Sequence, residues 1–208
     1  MSDNPKPLKS QNMNYILSIL SLDIIVITLV LSNLNITPLP KLWILTLSNG
    51  VGATTVIVFA LVANHLLPRW LKEIIVFLRI RDVQPGCRAF SVHAKKDKRI
   101  DEPALLKIVG SFPSAANEQN ALWYKLFKKN EDKTPIRYAH KNYLLFRDLA
   151  ALSLMLILAS LTLVVYKPCT TTASLSGWFL LQYLLSMIAA QNSGNSLVDN
   201  VLAEASST

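Results

Sequence analysis

The sequence has little with which to carry out covalent or metal chemistry. Among its 208 residues are two cysteines and three histidines. Cys87 and Cys169 fall in segments expected on opposite sides of a membrane, so they are not expected to pair, and neither has metal-site spacing. His65, His93 and His140 are scattered, with no nucleophile beside them. There is no metallopeptidase His-Glu pair, no G-x-S-x-G elbow, no Walker loop and no G-x-G-x-x-G before a helix. Acids are nearly missing from the apolar stretches. Asp23 stands alone there, which argues against a two-aspartate intramembrane protease. These absences point away from an enzyme, and neither cofactor nor metal is expected. A small-residue cleavage site after Leu34 is also missing, and Lys6 and Lys9 form only a weakly basic start. The first apolar stretch is therefore expected to be a retained helix rather than a signal peptide.

Charge is scarce as well, at 16% of residues against 51% hydrophobic, and it is segregated. Between Arg69 and Asp148 lie 17 basic residues and nine acids, an excess equal to the net +8 of the whole chain. The rest is mostly apolar, in segments long enough to cross a bilayer, for which ~20 residues suffice. The expected architecture is a mainly α membrane protein with four transmembrane helices, arranged as two hairpins around a basic, mostly helical cytoplasmic domain. Its parts are a disordered N-terminus (1–12), a first hairpin (13–66), the basic domain (67–148), a second hairpin (149–197) and a frayed tail (198–208). Pro38 and Pro40 mark one inter-helix turn at 35–41, and Pro168 marks the other at 167–174. Each turn holds one lysine, whereas the middle holds 17 basic residues. The positive-inside rule then puts both termini and the basic domain in the cytoplasm, in a bacterial inner membrane.

Within the basic domain, Trp70, Leu71, Ile74, Ile75 and Leu78 form a helical stripe opposite Lys72 and Arg79. Pro85–Gly86 reads as a turn, and 88–93 alternates enough to suggest a short strand. Asp101 can cap a helix through Ile108, with Pro103 in its first turn. Ser114 can cap another to about Lys129. From Pro135 a helix runs without a breaker into the third span.

Aromatic and basic residues interleave in this domain. Trp123 and Tyr124 alternate with Lys125, Lys128, Lys129, Arg137 and Lys141, a pattern suited to neutralising phosphates and stacking on bases. Some of these aromatics are needed for the small core, and lysines of this kind also bind anionic lipid. In the membrane, Asp23 must face a bundle interior or water, because an ionised carboxylate in lipid costs ~2.5–3.5 kcal/mol. It is either a pore or gating residue, or an acid hydrogen-bonded to a neighbouring helix. Ser48 and Asn49 precede a small-residue face with Gly52 and Thr55. Gln182 and Ser186 begin a polar stripe continued by Ala189 and Ser193, suited to a pore or to a hydrogen-bonded helix interface. Four spans with so few polar positions would need a homo-oligomer to enclose a channel.

The stretch Asn120-Ala-Leu-Trp-Tyr-Lys-Leu-Phe, with Ala139-His-Lys-Asn-Tyr-Leu-Leu-Phe-Arg-Asp148 leading into a span, resembles the small membrane effectors of bacterial anti-phage systems. Among them it is most similar to the membrane effector of Hailong-type defence. That resemblance implies an oligomeric ion channel held shut by single-stranded DNA, the product of a partner nucleotidyltransferase. The expected function is a pore gated by a nucleic-acid or nucleotide ligand on the basic domain. The alternative is a non-conducting membrane adaptor that docks a partner protein or anionic lipid.

Overall fold

The computed structural model of the protein describes residues 7–32, 50–166 and 170–207. Among these, every regular element is helical: α1 (Leu8–Gln11), α2 (Met13–Ser32), α3 (Gly50–Leu66), α4 (Arg69–Phe77), a 3-10 turn (Pro85–Arg88), a π-helical segment (Ala89–His93), α5 (Ala94–Lys96), α6 (Glu102–Val109), α7 (Ala116–Asn130), α8 (Thr134–Tyr166) and α9 (Thr170–Ser206). Three stretches, Leu8–Val30, Thr134–Val165 and Thr172–Ser206, are long and apolar enough to cross a membrane. A fourth is reached if the pair Thr54–Leu66 and Arg69–Phe77, bent by 94°, counts as one broken span. The bend follows from Pro68, which cannot donate to the preceding turn. The turn at 35–41, Ser48, Asn49 and Cys169 lie outside the described residues.

The chain divides into two compact units. The first, 1–72 with 148–186, contains the apolar helices and exposes Leu22, Ile25, Leu29, Phe59, Leu158, Leu161, Leu181 and Leu185. So many large apolar side chains facing outward would be a liability in water and suit a lipid solvent. Polar side chains go inward instead: Asp23, Asn64, Ser153, Ser160, Thr172 and Ser186 are all buried. Lys72 Nζ and Asp148 Oδ1 form an ion pair at 3.1 Å, with both side chains almost fully buried. Asn12, expected in a disordered terminus, is buried too, after a helical turn at Leu8–Gln11.

The second unit, 73–147 with 187–208, is the basic one. Its core joins Phe90, Leu105, Leu126, Phe127 and Ile136 to Val198, Val201 and Leu202. The last three come from the stretch expected to fray. Instead α9 continues through Ser206, because Leu197, Val198, Val201, Leu202 and Ala205 recur at the spacing of one helix face. Asn200 Nδ2 to the Pro135 carbonyl (3.3 Å) and the Asp101 N–H to Ser206 Oγ (3.2 Å) fasten this end.

Three local expectations are corrected. The segment 88–93 is not a strand: its Phe90 and Ser91 N–H groups both donate to Gln119 Oε1, at 3.2 and 3.1 Å, and Ala89 and Phe90 are buried side by side. Ser114 does not cap α7. The N-cap position is Ala115, and Ser114 instead offers its carbonyl to Gln119 Nε2. The stripe on α4 is displaced: Trp70 and Leu78 are exposed, while Lys72, Glu73, Ile75 and Val76 are buried. Two polar residues can sit inside because Lys72 has Asp148, and Glu73 accepts both Gln84 Nε2 contacts, at 3.2 and 3.0 Å. Asp101 caps α6 as expected, accepting from the Ala104 N–H at 3.0 Å.

Candidate anion-binding cleft

The basic unit contains a cleft of about 660 Å³, within the range of small-molecule sites. Four cations line it, namely Arg79, Arg88, Lys96 and Lys98. Two local features bring them together. After α4 the chain turns at Leu78 and Asp82, both at positive φ (51° and 48°), which carries Arg79 round to the cleft. The tight 3-10 and π turns then bring Arg88 and the Lys96–Lys98 loop to the same rim.

The two acids of the lining are already engaged. Asp97 receives Arg99 Nη2 at 2.6 Å and Nε at 3.0 Å; that hydrogen bonding holds its carboxyl below the ordinary 3.8. Asp199 meets His93 Nδ1 at 2.7 Å. By contrast, Arg79, Lys96 and Lys98 form no ion pair with any described residue. The net field of the cleft is therefore positive. One wall is apolar, formed by Phe77, Pro85 and Val92. On α9, Gln191 donates Nε2 to the Val76 carbonyl at 2.7 Å, and Asn195 has no hydrogen-bond partner among the described residues.

The aromatic and basic residues expected to bind an anion are placed differently. Trp123 stacks on Phe127 (centroids 5.7 Å apart, planes 21° apart) and belongs to the edge of the core. A side chain at Gly86 would strike it: an added Cβ would lie 2.7 Å from Trp123 Cε3 and against Asn120 Oδ1. Trp123 is thus a packing residue. Tyr124 is exposed. Lys125 and Lys129 are exposed on α7, and Lys128 reaches Glu131 at 2.8 Å, which raises its ammonium pKa. Arg137 and Lys141 are half-buried on α8. None of these seven lines the cleft. The sequence signal for the cleft was present in the charged run 95–99 and in Arg79 and Arg88, but their convergence depends on turns that carry no periodic pattern.

In the apolar unit, Asp23 is buried and accepts from Trp178 Nε1 at 3.3 Å and Gln182 Nε2 at 3.2 Å. Of the two roles expected for it, the geometry displays the hydrogen-bonded acid. Ser186, one turn beyond Gln182, is buried as well. The chain matches no protein-family model, no curated protein and no solved structure.

Proposed function

We propose that the protein is a four-span membrane protein of the bacterial inner membrane, with both termini and the basic unit in the cytoplasm. Several copies assemble into a pore gated by an anionic ligand on that unit. One observation carries this reading. The 37-residue helix α9 holds Trp178 and Gln182, the partners of Asp23, and also Gln191, Asn195 and Asp199, which line the cationic cleft. A ligand that binds two arrangements of that helix unequally would shift the membrane helices between them. The role of such a pore, an effector of anti-phage defence under a nucleic-acid or nucleotide signal, rests on the architectural resemblance.

The non-conducting adaptor has its own support: Asp23 and Ser186 are buried within a single chain, so they are not displayed toward neighbouring copies. Topology and conduction are tested separately. In a Cys87→Ser background, a membrane-impermeant maleimide applied from the periplasm should label Cys169. A Lys98→Cys variant that also lacks Cys169 should stay unlabelled until the membrane is opened. The reverse pattern would invert the protein in the membrane and remove the cytoplasmic-ligand reading. Reconstituted protein that leaks no ions under any condition would leave the adaptor in place.

A further inference from the structure

The cleft lacks an anion to balance it. Arg79, Lys96 and Lys98 converge on one cavity with no carboxylate partner among the described residues, and Arg88 adds only a 3.5 Å contact to the Asp82 carbonyl. Like charges gathered in a concave site repel one another and focus a positive potential there. A phosphate ester supplies the acceptor oxygens that guanidinium and ammonium groups require. The two acids in the lining do not cancel this field, because Arg99 neutralises Asp97 and His93 holds Asp199.

We infer that this cleft is the binding site for a polyphosphorylated nucleotide, held by Arg79, Arg88, Lys96 and Lys98 at its phosphates. The ring lies toward the apolar wall of Phe77, Pro85 and Val92, and Asn195 offers its carboxamide to a ring edge. Volume and charge agree. A cavity of about 660 Å³ accommodates a nucleoside triphosphate, and four cations match the three to four negative charges such a group carries at about neutral pH. The same chemistry is available from a free nucleotide or from the 5′-phosphorylated end of a single strand. The assignment rests on the proposed anionic signal to the basic unit, and it moves that signal from the α7 face expected from sequence to a defined cavity.

The experiment uses the full chain in lipid nanodiscs and calorimetric titration with ATP, inorganic tripolyphosphate and adenosine. ATP should bind saturably, tripolyphosphate should compete with it, and adenosine should not bind. The variant Arg79→Glu/Lys96→Glu/Lys98→Glu should weaken ATP binding by about a hundredfold, since each lost charged contact is worth ~1.5–3 kcal/mol. The matched variant Lys125→Glu/Lys128→Glu/Lys129→Glu, with the same change in net charge, should change it by less than about threefold. Equal losses in both would mean a diffuse field rather than a site, and no saturable binding of ATP or tripolyphosphate would overturn the assignment outright. An unfolding transition preserved in both variants guards against loss of structure, and the milder Lys96→Gln should give a smaller loss in the same direction. A 5′-phosphorylated oligothymidine that outcompetes ATP, and loses its advantage without the phosphate, would identify a strand end as the source; the opposite order would identify a free nucleotide. Ion flux is read independently. Binding without flux removes the pore and keeps the site, whereas flux with cleft variants binding normally removes the site and keeps the pore.

Discussion

The most consequential single residues are charged ones in places where charge is expensive. Lys72 and Asp148 are both nearly sequestered, and removing either strands the other in a poorly solvated environment. The Asp148→Ala variant should lose ~3–5 kcal/mol, as should Lys72→Ala, whereas the double change Lys72→Met/Asp148→Leu should recover most of that loss. Thermal unfolding in detergent across this mutant cycle measures it. Additive losses would show that the two residues are stabilised separately. Neither residue stood out in the sequence, where Lys72 read as part of a solvated face. Its burial depends on a partner 76 positions away, which no local pattern encodes. Asp23 was conspicuous, because a carboxylate in an apolar run needs an explanation. What was hidden is that Trp178 and Gln182 provide it.

Among the elements, the long helices were the most legible. Proline at position 135, followed by more than thirty residues without a glycine or proline, predicts α8, which spans Thr134–Tyr166. The end of α9 was the least legible. Polar residues at 191–196 resemble a helix running out, and the apolar spacing that resumes at Leu197 was read as a tail. That spacing places Val198, Val201 and Leu202 fully inside the core of the basic unit. Deleting 197–208 should therefore abolish cooperative unfolding of that unit, and Leu202→Ala alone should cost ~2–5 kcal/mol. Circular dichroism melting would detect both, and an unchanged melt after the deletion would contradict the core as drawn. Continuity of α8 makes a second prediction. Inserting Gly-Gly after Asn142 interrupts the helix while sparing the cleft, so ATP binding should persist and its effect on conductance should be blunted. Unchanged gating would refute α8 as a transmission element.

At the level of the whole molecule, composition alone separated apolar from basic halves, and the division into two compact units follows that separation closely. The allocation of α9 to both could not be read from charge, because its C-terminal portion carries no basic residue at all. It is drawn into the basic unit by core packing. The proposed mechanism depends on this sharing, since a ligand in the cleft touches the helix that also holds Asp23.

The most direct measurement is ion flux from liposomes containing the unmodified protein, recorded as ATP is titrated, alongside calorimetric binding in the same lipid. The account predicts that flux changes, in one direction or the other, with a midpoint that tracks occupancy of the cleft. That response should disappear in Arg79→Glu/Lys96→Glu/Lys98→Glu and survive in Lys125→Glu/Lys128→Glu/Lys129→Glu. Flux that is absent throughout, or that is indifferent to an occupied cleft, would contradict it.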